Sequence, residues 1–238
     1  MVMALEKNLG SLALLQDPVR RRIYLFVRSS RRPVGRDDVA AGAEISRKLA
    51  AFHLEKLLQE GLLVAHFAHP GGERRPGRKP KLYAPSEAPL AVSIPERRYE
   101  LIGTVLADAV RSPGPGESAE DAAYSMARRR GARLGKGIRQ TGSASDRPER
   151  ALALARSVLE KHGFEPQISE GAIALNNCPF QALAAHAPEL ICGMNHAFID
   201  GLMRGLGNQD VDVSLEPTGG GCCVQLSIKA QEADGRGE

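Results

Sequence analysis

The sequence predicts an α+β protein built in two parts, and three observations predict it. Apolar residues recur at helical spacing through most of residues 17–60 and again from residue 101 onward. Beyond Gly163 the pattern shortens to four extended runs around one more helix, the arrangement of a small antiparallel sheet covered by helices. Charge divides the same way: residues 1–85 hold 16 Lys plus Arg against 8 Asp plus Glu, net +8, whereas residues 86–238 hold 16 against 20, net −4. With 238 residues, 42% of them hydrophobic, the chain carries enough apolar material for two ordinary domains.

In the first part, Asp17-Pro18 joins a cap to a first-turn proline, and Val19, Ile23, Phe26 and Val27 follow at helical spacing, predicting a helix over 17–29. Pro33 to Gly35 breaks the chain, a short helix covers 36–41, and Gly42-Ala43-Glu44 makes a tight turn. Ser46 then caps a helix running to Glu60, with Gly61 at its end. On that helix Ala50, Leu54, Leu57 and Leu58 share an inward side, and Arg47, Lys48, Ala51 and Glu55 face outward. Phe52 and His53 are expected to supply bulk to the packed side. Leu62 to Ala68 and Lys81 to Ala84 read as paired strands, and the Gly- and Pro-rich loop between them carries Arg74, Arg75, Arg78 and Lys79.

A helix, a tight turn, a second helix and then a basic hairpin have the order of a DNA reader. A helix-turn-helix sets the amino-terminal residues of its second helix against base edges, which makes Ser46, Arg47, Lys48 and Ala51 the candidate contacts. Cations on the hairpin loop lie along phosphates and position the protein. The residues Asp17-Pro18-Val19-Arg20, the run Ile45 to Leu57 with Glu60-Gly61-Leu62, and Gly77 to Tyr83 resemble the DNA-binding module of bacterial winged-helix repressors. The likeness covers most of residues 15–85 and implies a winged helix-turn-helix domain with double-stranded DNA as its partner.

In the second part, Ser93 and Glu96 have the spacing of a reciprocal capping box, which predicts a helix onset there. The stripe Leu101, Ile102, Val105, Leu106, Ala109 and Val110 is wide enough to serve as core and as dimer surface. A second helix runs from Ser118 toward Ile138 across Arg128-Arg129-Arg130, expected as a solvated face, and a third opens at Asp146 with Pro148 and closes at Gly163. Extended runs over 165–169, 172–175, 211–215 and 223–228 flank a helix over 188–206, whose apolar side holds Leu190, Ile191, Met194, Phe198, Ile199 and Met203.

All four cysteines fall in this second part: Cys178, Cys192 and the adjacent Cys222 and Cys223, each at the end of an expected element. Intervals of 13 and 29 residues, with no Cys-x-x-Cys, argue against a zinc ribbon or a thioredoxin-like site. Soft thiolates favour an iron-sulfur cluster, 4Fe-4S or 2Fe-2S, or alternatively zinc, and all four cysteines are candidate ligands. Alternation along the last strand puts Cys222 with Val224, Leu226 and Ile228, and Cys223 with Gln225 and Ser227, which favours Cys222 as the shielded ligand. His186 and His196 are possible extra ligands in the zinc reading. The residues Asn177-Cys178-Pro179-Phe180, Glu189-Leu190-Ile191-Cys192 with Asn195, and Cys222-Cys223-Val224 resemble the sensor of SufR-type iron-sulfur-cluster-dependent repressors. That resemblance implies a homodimer with one cluster per subunit on three cysteines: Cys178, Cys192 and one of Cys222 and Cys223. The long interval before Cys222 departs from the short, even cysteine series by which that family is described.

The expected organisation is a winged helix-turn-helix DNA-binding domain (1–88), a helical linker and dimerisation region (89–145), a cysteine-containing α+β sensor domain (146–229) and a disordered tail (230–238). No apolar run approaches the roughly 20 residues that span a bilayer, and no leader pattern opens the chain. A soluble, cytoplasmic, membrane-free protein is therefore expected, in which clustered thiols serve a metal or redox change rather than structural disulfides. An enzyme is not expected: Cys178 and His186 make a nucleophile and a base without an orienting carboxylate or an oxyanion pattern. The expected activity is a transcriptional regulator, a repressor, responsive to an iron-sulfur cluster; the alternative is a regulator with a zinc site or a reversible cysteine redox switch.

Overall fold

The structure, a computed structural model, describes residues 2–67, 80–88, 90–143, 147–216 and 221–229. Two compact units divide the chain, Met1–Val92 and Ser93–Glu238, and the described residues are α+β with two small antiparallel sheets.

The first unit opens with α1 (Val2–Leu14), which the sequence pattern does not announce because its first turn has no acidic residue. Helix α2 (Pro18–Ser29) starts as expected: an Asp17 carboxylate oxygen accepts the amides of Val19 and Arg20, both at 2.9 Å. A two-residue strand β1 (Val34–Gly35), too short to show a period, precedes α3 (Arg36–Gly42). After the turn, Ser46 Oγ accepts the Leu49 amide at 3.2 Å and α4 (Arg47–Gln59) begins. Ala50, His53, Leu54 and Leu57 are buried at i, i+3, i+4 and i+7, the stripe that fastens α4 to α2 and α3. Gly61, at φ +71°, then reverses the chain, and the Leu62 amide closes on the Leu57 carbonyl at 2.9 Å. Strands β2 (Leu63–Phe67) and β3 (Lys81–Pro85) pair antiparallel, with Ala65 opposite Tyr83, and β1 adds to the other edge of β3 in the order β1-β3-β2. One core joins Ile23, Val27, Val39, Leu54, Leu57, Leu63 and Tyr83.

His53 is buried as expected, whereas Phe52 is 54% exposed with the Lys56 ammonium 6.0 Å above its ring. Burial, opposed by the Asp17 carboxylate and reinforced by Arg20, lowers the His53 pKa, and its Nδ1 has no hydrogen-bond partner among the described residues. A depressed imidazole pKa means that the unfolded chain binds the proton first. Stability is then complete above the unfolded value of about 6.5 and declines as pH falls below it. His53→Leu is expected to flatten the urea midpoint of this unit between pH 7.5 and 5.5; an undiminished slope would refute the assignment.

The second unit contains α5 (Tyr99–Arg111), α6 (Ala119–Ile138), α7 (Pro148–Lys161), β4 (Pro166–Ser169), β5 (Ala172–Leu175), α8 (Gln181–His186), α9 (Pro188–Leu206), β6 (Val211–Leu215) and β7 (Val224–Ile228). Its sheet has the order β4-β5-β7-β6 with antiparallel pairing throughout. One core runs from Ile102 and Val105 on α5 through Leu159 on α7 to Ile173, Val224 and Leu226 on the sheet, with α9 at its centre. Helix α9 is buried on more of its circumference than its apolar stripe indicates, because Gly131 and Gly135 of α6 press against its backbone and Gly201 and Gly205 press back. Val110 is 78% exposed and leaves the inward stripe of α5, in which Ile102, Val105 and Ala109 are buried and Leu101 and Leu106 pack partly buried beside them. Arg128 of the basic stretch pairs with Asp200 on α9 at 3.0 Å, and Arg129 and Arg130 are exposed.

One helix onset is corrected. Ser93 and Glu96 do not form a capping box: Ser93 Oγ accepts the Arg97 amide at 2.8 Å, and α5 begins six residues later, at Tyr99. The reason is tertiary, because the backbone of residues 96–98 is engaged by the loop that carries Cys178. Ser118 caps α6 as expected. Asp146, read as the cap of α7, lies outside the described residues, as does the tail over 230–238. No described helix is long and apolar enough to cross a membrane.

Candidate functional site

The four cysteines come from three segments, and the fold brings them together. Cys178 follows β5, where its sulfur accepts the Phe180 amide. Cys192 lies in the second turn of α9. Cys222 and Cys223 immediately precede β7, and the Cys222 amide bonds the Leu175 carbonyl of β5 at 2.8 Å, bringing that segment beside the strand that leads to Cys178.

The thiols lie in side-chain contact in the order Cys178, Cys222, Cys223, Cys192. Cys222 sits between two neighbours and is almost wholly buried; the other three are half-buried. Contact with Cys222, which supplies the proton, draws Cys178 down to about 7 and Cys223 to about 6. Cys222 is pushed up by its bonds to Cys178 and Cys223 and by burial. Burial, then donation to Cys223, pushes Cys192 up to about 12. The sulfurs stand too close to ionise independently, a condition that a bound cation relieves.

Asn195, one helical turn from Cys192 and 2% exposed, donates from Nδ2 to the Cys222 sulfur at 3.1 Å. Its Oδ1 has no hydrogen-bond partner among the described residues, an orphaned buried acceptor beside the thiols. Arg97 bonds the Cys178 segment: Nη1 donates to Asn177 Oδ1 at 2.6 Å and to the Cys178 carbonyl at 2.9 Å, and Nη2 to Gln181 Oε1 at 2.5 Å. Its positive charge also helps to lower the Cys178 pKa. Asn177 and Asn195 carry a sequence signal as neighbours of cysteines; Arg97, 81 positions before Cys178, has none.

The donor set suits a group that prefers soft ligands. Among the described residues no three His, Cys, Asp or Glu side chains are grouped so as to hold a single metal ion. An iron-sulfur cluster would be held by Cys178, Cys192 and one or both of Cys222 and Cys223, and its bulk would have to separate sulfurs that are now in mutual contact. His196 gives no ligand in this arrangement: its Nε2 bonds the Val213 carbonyl at 2.8 Å, tying α9 to β6. His186 is exposed at the end of α8.

The candidate nucleic-acid interface lies on α4. Ser46 is occupied as a cap, Arg47 and Lys48 are exposed in the first turn, and Ala51 is half-buried behind them. Arg47 pairs with Asp37 of α3 across the solvent-exposed surface, a contact worth under about 1 kcal/mol that a phosphate can replace. Glu55 is engaged by Lys81 at 3.0 Å, which ties α4 to β3. Arg74, Arg75, Arg78 and Lys79 lie outside the described residues, as do Gly219 and Gly220 before Cys222.

No family model and no curated protein matches the chain.

Proposed function

We propose that this chain is a homodimeric DNA-binding transcription regulator, a winged helix-turn-helix repressor, whose operator affinity responds to an iron-sulfur cluster held by Cys178, Cys192 and the Cys222–Cys223 pair. The observation that carries the sensor half is the meeting of four thiols from three segments separated by 13 and 29 residues. Such convergence, in a net-negative part of a chain whose other part is net positive, fits a sensor joined to a polyanion binder. A bound cluster would supply chemistry sensitive to oxidant, nitric oxide and iron supply. The chain's own residues would do the rest. Cys178 and Cys223 would offer sulfurs already close to ionised, and Asn195 would orient Cys222. On the DNA side, Ser46 would hold the first turn of α4 while Arg47 and Lys48 met bases and phosphates. In a dimer the two α4 helices would enter successive major grooves about 34–36 Å apart.

Protein purified without oxygen and supplied with ferrous iron and sulfide is expected to be brown, with a visible charge-transfer band and bound iron and sulfide. A colourless product that retains no iron would overturn the cluster. For the DNA half, duplex binding is expected to fall steeply as salt rises, and Lys48→Ala is expected to lower the slope of log K against log salt by about 1. A salt-independent affinity would remove the reading.

The pairwise thiol contacts also favour a second reading, a reversible disulfide switch. It predicts diamide-sensitive DNA binding in iron-free protein, with Cys178–Cys222 or Cys192–Cys223 bridges found by mass spectrometry after alkylation.

A further inference from the structure

Residues 93–98 are the chain that enters the second unit, directly after Val92, the last residue of the first. They form no helix, and side chains and backbone bind them to the loop that carries Cys178. Asn177 Nδ2 donates to the Glu96 carbonyl at 3.1 Å and to the Gly163 carbonyl at 2.6 Å. The Arg98 amide donates to the Pro179 carbonyl at 3.0 Å. Arg97 completes the contact with its three bonds to Asn177, Cys178 and Gln181.

Every acceptor of the Arg97 side chain is neutral, and no carboxylate pairs with it among the described residues. A half-buried guanidinium without a carboxylate partner favours an anion in its neighbourhood. The neighbouring Cys178, whose carbonyl Arg97 bonds, is a group that becomes anionic when it ligates. The loop that carries Cys178 is also the one that must shift if its sulfur leaves contact with Cys222.

We propose that Arg97 is a positioning residue that couples the thiol site to the connector between the two units: its charge balances the ligated thiolates, and its fork ties the Cys178 loop to residues 96–98. Spreading of the sulfurs then pulls on the chain that leads to the DNA-reading unit. This rests on the functional reading above.

The two roles separate by substitution. Arg97→Lys keeps the charge and loses the planar fork, and Arg97→Gln loses both; melting midpoints establish that each folds. The full-length chain is loaded with ferrous iron and sulfide, and backbone hydrogen exchange is followed in the peptide spanning residues 93–101, which contains the Arg97 and Arg98 amides. Loading wild type is expected to change exchange there by at least about threefold, while both variants lose that change. Iron loss to a chelator is expected to quicken about tenfold in Arg97→Gln, in the range of outer-shell effects on metal sites, and to stay near wild type in Arg97→Lys. A wild-type protein that holds iron with an unresponsive connector, or variants that keep the full response, would overturn the coupling and leave the functional reading intact. A wild-type protein that takes no iron would overturn that reading, and the coupling with it.

Discussion

Gly201→Val is expected to unfold the second unit or to lower its stability by about 3 kcal/mol or more, the upper range for overpacking. A Cβ at Gly201 would lie 2.1 Å from the Arg128 carbonyl oxygen, and one at Gly131 would lie 1.9 Å from that of Phe198. Both obstacles are helix backbone, so no side-chain rotation relieves them. The matching pairs at Gly135 with Leu202 and at Gly205 with Ala132 show α6 and α9 running parallel in direct backbone contact over two turns. Separating the helices to admit a branched side chain strips contacts from Met194, Phe198 and Leu202, all in the central core. Gly103→Ala on α5 is the control, because a Cβ there meets nothing within 4 Å. It is expected to raise stability by about 0.5–1 kcal/mol through helix propensity and reduced freedom of the unfolded chain. Chemical denaturation followed by circular dichroism checks both; a Gly201→Val protein as stable as wild type would refute the close approach.

The second large effect concerns the thiols one at a time. Cys178→Ala and Cys192→Ala are each expected to bring bound iron and sulfide to background after anaerobic reconstitution, because each is the only thiol from its segment. Cys222 and Cys223 are neighbours that both touch other thiols of the chain: Cys222 contacts Cys178, and Cys223 contacts Cys192. Either single variant is therefore expected to keep part of the iron, with Cys222→Ala the more damaging because Cys222 is the buried member and the partner of Asn195. The double variant is expected to keep none. Full iron retention in Cys192→Ala would show that α9 contributes no ligand and would break the proposed centre.

Much of this architecture was legible along the chain. Asp17-Pro18 and Ser46 mark their helix starts because a cap acts within three residues, and the 3.6-residue recurrence of Ala50, Leu54 and Leu57 identifies the buried side of α4. Strand alternation likewise placed Cys222 inward and Cys223 partly outward. Where local signals were weak or overruled, the reading failed. The two-residue β1 has no period, α8 is six residues long, and the Ser93–Glu96 spacing was overridden by hydrogen bonds from a loop some eighty residues away.

For the site, residue chemistry was readable and proximity was not. Cysteine is recognisable wherever it stands, so sequence alone determined which groups were candidates and that they lay in one half of the chain. Only tertiary structure decided that Cys178, Cys222, Cys223 and Cys192 touch in that order, that Asn195 bonds Cys222, and that Arg97 reaches the Cys178 loop. Caps and amphipathic periods arise from forces acting over one turn or one strand and so leave a mark at fixed spacing. Contacts between distant segments arise from how whole helices and sheets pack, and they leave no such mark.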